Sequence, residues 1–250
     1  MVDIINQTEP SLNPVTDSPV RTVQRVRHEL KRRTLTVRRT ALLSPHLLRI
    51  TFTSPELQDF ISLSFDDHVK LILPGEPPVM RDYTPRRFSG DELDIEFALH
   101  GHGPAATWAT QAAPGQTVQI GGPRGSFVVP VDFDWHLLVG DLSALPAITR
   151  RLEELPAACT AIVRVLADAA EQRALPSRAN VNLQWITADL PAAVQALTLP
   201  PGEGYAWAAG EASVTAAVRA VLVGTHGLPK ERIRAAAYWK PGNAGHHENL

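Results

Sequence analysis

The sequence predicts two architectures in series: an antiparallel β-barrel over residues 21–131, then an α/β domain with a parallel sheet over residues 132–250, both after a leader of residues 1–20. Three observations carry this. From Leu35 to about Val131, short apolar runs are separated by turn clusters such as Ser44-Pro45, Pro74-Gly75-Glu76-Pro77-Pro78, Ser89-Gly90-Asp91 and Ala113-Pro114-Gly115-Gln116. That rhythm belongs to antiparallel strands rolling into a barrel. From about Asp134, apolar strands alternate with helical patterns, as crossovers between parallel strands require. Residues 1–20 are rich in Asn, Ser, Thr, Asp and Pro without any period, which reads as a disordered leader.

The stretch Arg21–Arg39 holds eight Lys or Arg against one acid, Glu29. Because Leu35 and Val37 are interleaved with the charges, it reads as the solvated face of a first strand, with a nucleic-acid-binding arm as the alternative. Expected barrel strands are Leu35–Leu43, Leu47–Thr53, Val69–Leu73, Arg81–Phe88, Leu93–Leu99 and Thr117–Gly121. One helix, Pro104–Ala112, is expected among them, with proline in its first turn where a missing N–H costs nothing. In the second half the expected strands are His136–Asp141, Ala161–Ala167, Val181–Ile186, Tyr205–Ala209 and Ile233–Trp239. Helices are expected over 144–155 and over Ser213–Val223, the latter capped by Ala212 or Ser213.

Composition bounds the chemistry. With 44% hydrophobic and 20% charged residues and a formal charge of −2, the chain reads as a globular protein without a nucleic-acid or membrane partner. One cysteine, Cys159, excludes an internal disulfide, a CxxC redox pair and a four-cysteine iron–sulfur cluster. No apolar run approaches the ~18 residues of a membrane span, and the N-terminus lacks the basic-then-apolar order of a secretory signal, so the expected location is the cytoplasm.

The chemistry concentrates in Met80-Arg81-Asp82-Tyr83-Thr84-Pro85-Arg86-Arg87, between the apolar runs at Val69–Leu73 and Leu93–Leu99. Arg81, Tyr83 and Thr84 are read as one face of an extended strand, since strand side chains alternate sides. A guanidinium clamps phosphate, a phenol stacks on a flat heterocycle and a hydroxyl bonds its edge, which together suit a phosphorylated flavin. The alternative is an ordinary barrel strand with a surface arginine. His100-Gly101-His102-Gly103-Pro104-Ala105-Ala106-Thr107-Trp108 follows, a glycine-flanked turn into a helix whose N–H groups suit a pyrophosphate, or simply a strand-to-helix connection. Its two histidines lack a nearby acid or cysteine and make a poor metal site. Gly121-Gly122-Pro123-Arg124-Gly125-Ser126 lets backbone approach a ligand or the neighbouring domain, or is a tight corner.

In this order these segments, with Leu43-Ser44-Pro45-His46-Leu47-Leu48, Gly140-Asp141…Ala144-Leu145-Pro146-Ala147, Gly210-Glu211 and Tyr238-Trp239-Lys240…Gly242, resemble the siderophore-interacting protein family over roughly residues 22–242. These are FAD-dependent ferric-siderophore reductases on a ferredoxin-reductase-like plan. The resemblance implies an FAD-binding barrel and an NAD(P)H-type α/β domain. It implies that Arg81 contacts the FAD phosphates, Tyr83 stacks on the isoalloxazine and Thr84 bonds near its N5. The turn of His100, Gly101, Gly103, Ala105 and Thr107 would cradle the pyrophosphate and adenine side, and Asp141 would face the flavin. Gly210-Glu211 and Tyr238-Trp239 would lie on the nicotinamide side, although Trp239 read alone is a core residue of the last strand. Arg124, Arg234 and Lys240 are candidates for a basic pocket around an anionic ferric chelate. Two departures stand out: Gly140–Pro146 supplies one glycine where a G-x-G-x-x-G would have three, and Pro241 stiffens the tail.

The expected reaction is hydride transfer from NADH or NADPH to FAD, then single-electron reduction of siderophore-held ferric iron, with a ferredoxin as the alternative donor. Oxygen-donor siderophores favour the harder ferric ion, so reduction loosens the metal. Two rival functions are a general NAD(P)H:flavin oxidoreductase serving another acceptor, and a non-enzymatic siderophore carrier.

Overall fold

The computed structural model describes residues 21–99, 103–242 and 248–250. The expected leader of residues 1–20 lies outside them, as do His100 and Gly101 of the expected cofactor turn.

Seven antiparallel strands form the first sheet: β2 Arg32–Ser44, β3 Leu47–Thr53, β4 Val69–Leu73, β5 Val79–Tyr83, β6 Arg87–Ser89, β7 Glu92–Ala98 and β8 Thr117–Gly121. Their spatial order is β5-β4-β8-β2-β3-β7-β6, so the two edge strands are consecutive in the chain. The sheet therefore curls until its edges meet at Thr84-Pro85-Arg86, and the barrel is closed there by the chain itself rather than by a ladder. The single strand expected over Arg81–Phe88 is thus two strands, because Pro85 has no N–H to donate. The backbone N–H of Arg86 instead donates to the carbonyl of Asp94 at 2.9 Å. Leu35, Val37, Ile50, Phe52, Val69, Leu71, Leu93, Ile95, Phe97 and Ile120 fill the barrel, each at most 1% exposed. Helix α1, Pro104–Thr110, adds Ala105 and Ala109 to that core.

Two further strands, β1 Gln24–Arg27 and β9 Gly125–Val128, pair as an antiparallel ribbon that the hydrophobic pattern did not predict. β1 is almost wholly exposed, so it carries no buried face to read.

The chain enters the second sheet at β10, Trp135–Asp141, and continues through α2 Leu145–Glu154, β11 Thr160–Leu166, β12 Asn180–Ile186, α3 Leu190–Gln195, β13 Gly204–Glu211, α4 Ala212–Gly224 and β14 Ile233–Trp239. The order is β12-β11-β10-β13-β14, all parallel, with the short antiparallel β15 Glu248–Asn249 beside β14. The strand–helix alternation holds except between β11 and β12, where residues 167–179 carry only a 3-10 turn. Helix α4 is capped not by Ala212 or Ser213 but by Glu211, whose carboxylate accepts from the Val214 N–H at 2.9 Å.

Helix α2 binds the two sheets together. Arg150 donates to Ser62 Oγ at 2.8 Å, Ser62 O at 3.0 Å and Pro85 O at 2.9 Å. Arg151 donates to Val129 O at 3.0 Å and Pro130 O at 2.7 Å. Arg86, 4% exposed, reaches back to both oxygens of Glu153 at 2.6 and 2.8 Å. Leu47 and Phe65 of the barrel half share one apolar cluster with Leu145, Ile148 and Leu152 of α2.

Much of the basic stretch is spent on ion pairs. Arg33, 6% exposed, pairs with Asp59 at 2.7 Å, and Arg38 and Arg39 share Glu92 at 2.9 and 2.8 Å. Lys31 and Arg33 together hold the Asp59 carboxyl down at about 2.

Candidate active site

Strand β5 presents Arg81 and Tyr83 opposite Leu71 and Val69, both fully buried, so the two share the barrel's inner face as expected. The Tyr83 ring lies 4.4 Å from that of Phe97, and Phe97 lies 6.1 Å from Trp108. This aromatic wall backs Tyr83, and neither Phe97 nor Trp108 was singled out as a site residue; Trp108's place one helical turn past Pro104 was the available signal. Burial pushes the Tyr83 hydroxyl well above its ordinary value, so it stays a neutral donor at all physiological pH.

Arg81 donates through Nη1 to the Met80 carbonyl at 2.7 Å and, among the described residues, forms no ion pair. Its neighbour Asp82 pairs with Lys70 at 2.7 Å instead. A guanidinium without a carboxylate beside a half-buried phenol is a donor set that fits a phosphate-bearing planar cofactor. Thr84 does not share their face: it follows the strand, in the Thr84-Pro85-Arg86 closure, and is 7% exposed. Of the expected cofactor turn, Gly103 caps α1 and Thr107 is exposed, whereas Ala105 is part of the barrel core.

The second cluster lies at the C-terminal ends of the parallel strands. From β10 the chain moves outward through β11 and β12, then returns to β13 on the other side of β10, so strand order reverses between β10 and β13. Ligands of open α/β sheets bind in the crevice at such a reversal. There Asp141 is the hub. Its Oδ1 accepts from Ser143 N at 2.8 Å and Ser143 Oγ at 2.5 Å. Its Oδ2 accepts from Glu211 N at 2.9 Å and Trp239 Nε1 at 2.8 Å. Gly210 is required beside it: φ is +146°, and a Cβ would sit 2.5 Å from Asp141 Oδ2. Gly140 is required for a related reason, since its Cβ would meet that of Ala144 at 2.5 Å. Asp141, Gly210, Glu211 and Trp239, widely separated in sequence, are thus one constellation, with Ser143 as a member the sequence did not indicate.

Tyr238 points to the other side of β14, its ring 6.2 Å from that of Trp207. Burial, followed by the charge of Asp66, drives its hydroxyl pKa up, and Asp141 and Asp82 add to that effect.

Two of the three basic residues expected around a chelate, Arg234 and Lys240, are not brought together. Arg234 is committed to an ion pair with buried Asp66, and its guanidinium lies 4.3 Å from the centre of the Phe127 ring. It sits at the start of β14 and Lys240 just past its end, roughly 20 Å apart at ~3.3 Å per residue. Arg124 and Lys240 are both exposed.

A barrel with an arginine–tyrosine strand, joined to a parallel sheet with a crevice at its reversal point, defines the two-domain class of flavin- and nicotinamide-dependent oxidoreductases. The chain belongs to the siderophore-interacting protein family: the siderophore-interacting FAD-binding domain matches residues 36–77 and 74–127, and the siderophore-interacting protein domain matches residues 133–242. It is 36% identical over 245 residues to the NADPH-dependent ferric-chelate reductase of Escherichia coli K12, covering 86% of this chain and 96% of that one. It is 30% identical over 237 residues to the ferric vibriobactin reductase ViuB of Vibrio cholerae, covering 82% and 88%. Its fold matches a crystal structure of a siderophore utilization protein from T. fusca with a TM-score of 0.80 at 30% identity, covering 90% of this chain and 98% of that one.

Proposed function

We propose that this chain is an FAD-dependent reductase of ferric siderophores that draws its electrons from NADPH or NADH. The observation that carries the reading is Arg81, which forms no ion pair among the described residues, on one strand face with the half-buried Tyr83 ring, in a chain that shares 36% identity with a ferric-chelate reductase along nearly its whole length. When bound, the flavin supplies the exchange between a two-electron hydride donor and a one-electron acceptor.

The protein's part is positioning. Arg81 would hold the cofactor's phosphates and Tyr83 its ring, with Phe97 fixing the phenol from behind. Thr84 and the turn of His100, Gly101, Gly103, Ala105 and Thr107 would complete the seat. Asp141 acts as a positioning residue, because four donors already occupy its two oxygens. It locks the Trp239 indole and the β13 terminus at the sheet crevice where a nicotinamide nucleotide would enter. Lys240 and Arg124 remain candidates to attract an anionic chelate; Arg234, neutralised by Asp66, acts on structure instead.

No helix among the described residues is long and apolar enough to cross a membrane, and the proposed place of action is the cytoplasm. A ferredoxin is the alternative donor. Anaerobic mixing of the FAD-loaded protein with NADPH or NADH and a ferric catecholate tests the proposal: Fe(II) should appear on a trapping chelator. Flavin reduction without Fe(II) release would favour a general flavin oxidoreductase, and a chain that binds no FAD would favour a carrier.

A further inference from the structure

Outside the flavin and nicotinamide clusters, a cavity of about 280 Å³ opens where the barrel, helix α2 and the segment after β11 meet. Its lining carries four arginines, Arg49, Arg86, Arg87 and Arg173, but only three carboxylates, Asp94, Glu96 and Glu153. Each carboxylate already has a partner: Glu96 takes Arg49 at 2.5 Å, Glu153 takes Arg86 at 2.6 Å, and Asp94 faces Arg87 at 3.5 Å. Arg173 is left over. Its Nη1 donates to Ser44 Oγ at 3.2 Å and the Glu171 carbonyl at 3.3 Å, and among the described residues it forms no ion pair. The nearby Glu171 carboxylate is itself engaged by Ser44 Oγ, by His46 N at 3.0 Å and by His46 Nδ1 at 2.8 Å. A second donor is only loosely engaged: Arg86 is 4% exposed, and its Nε faces Glu96 in an ion pair at 3.5 Å but makes no hydrogen bond among the described residues.

We infer that this cavity is a binding site for a phosphate group, free or as a small monoester, held by Arg173 with Arg86 and Arg49. Arg173, which has no direct ion pair among the described residues, and the Arg86 Nε–H, which has no hydrogen bond there, are the donors such a ligand would satisfy, and planar guanidinium forks match its oxygens. Burial lowers the Arg173 pKa; the charges of Glu96 and Glu171 oppose that effect, and those of Arg49 and Arg86 add smaller contributions to it. The cavity holds more than one free phosphate, leaving room for a small esterified group. It does not share the flavin face: Asp94 and Glu96 alternate along β7 with Leu93, Ile95 and Phe97, and Phe97 is the residue that touches Tyr83. An occupant would bridge the barrel to the α/β half.

Calorimetric titration of the full chain with sodium phosphate and with glycerol 2-phosphate, against chloride at matched ionic strength, tests this. Binding of one equivalent is expected, with Arg173→Gln weakening it about tenfold or more, the scale of one charged hydrogen bond. Arg173→Lys, which keeps the charge and is the safer fold, should weaken it less, and Arg25→Gln on the exposed β1 should leave it unchanged. Tighter binding of glycerol 2-phosphate than of phosphate would identify a monoester as the occupant, and the reverse would identify the free ion. Heats no larger than in chloride would overturn the inference, as would an Arg173→Gln variant that binds like the wild type. So would loss of the signal on preloading with FAD, which would place the anion in the flavin's own phosphate seat.

Discussion

Replacing Asp141 with asparagine changes no volume, yet the geometry predicts a clear cost. Each carboxylate oxygen accepts two donors, Ser143 N and Oγ on one side and Glu211 N and Trp239 Nε1 on the other. An amide must turn its NH₂ toward one side. Facing Glu211 and Trp239 it would oppose two N–H groups, so it will face Ser143, whose hydroxyl can rotate to accept while its backbone N–H loses its partner. The sum is one unsatisfied donor at about 1–3 kcal/mol, plus the lost charge assistance on the remaining bonds. Because Asp141 is half-buried and water reaches it, about 2–3 kcal/mol is expected in total. At ~2–4 °C per kcal/mol for a fold of this size, the Tm should fall by about 4–12 °C. Circular-dichroism melts of wild type, Asp141→Asn, Trp239→Phe and the double variant measure both the loss and the coupling. The two residues touch, so the double variant should depart from additivity by about 0.5 kcal/mol or more. An Asp141→Asn protein that melts with the wild type, or strictly additive losses, would refute the hub.

Other expectations follow from the same contacts. Arg81→Ala should weaken FAD binding by about 1–3 kcal/mol, seen as a higher Kd in flavin-fluorescence titration, and Tyr83→Phe should retain FAD where Tyr83→Ala loses it. Arg86→Gln removes the cation that Glu153 and Glu96 share, while Glu96 keeps Arg49 and Glu153 is partly exposed, so it should cost about 1–3 kcal/mol in urea unfolding. Burial, with the Arg151 cation adding to it, pushes His136 down from 6.5 to about 3, so the folded protein binds that proton less tightly than the unfolded chain. Its contribution is therefore intact above pH 6.5 and is lost as the pH falls toward 3, at up to about 1.4 kcal/mol per pH unit. Across that window His136→Phe should show a shallower acid loss of stability than the wild type; equal slopes would count against it.

What the sequence made legible was whatever depends on neighbours in the chain. β4 and β8 are found where the apolar alternation places them, because one face of each is buried and the period of two holds along most of each strand. The pairing of Arg81 with Tyr83 on one face follows from the same period. β1 was not legible because it is exposed and is a strand only through β9, about a hundred residues away. The fate of Arg234 was equally hidden: nothing near it in sequence announces Asp66, 168 residues earlier, which removes it from any basic pocket. The break after Tyr83 could have been read, since Pro85 cannot join a ladder, but the apolar context on both sides masked it.

The same limit explains why helix α2 looked ordinary. Its Thr149-Arg150-Arg151 run carries no apolar side chain, yet both arginines are buried, at 8% and 3% exposure. Their donors go to carbonyls of Ser62, Pro85, Val129 and Pro130, none of which lies in a strand and each of which needs a partner once covered. The helix starts four residues after Asp141, and near its other end Glu153 grips Arg86, three residues after Tyr83. One rigid element is thus fastened to the residue that orders the sheet crevice and to the segment that closes the barrel beside the arginine–tyrosine strand. That helix spans the two halves of the site, so changes at Arg86, Arg150 or Glu153 should alter communication between them without touching the flavin or the nicotinamide.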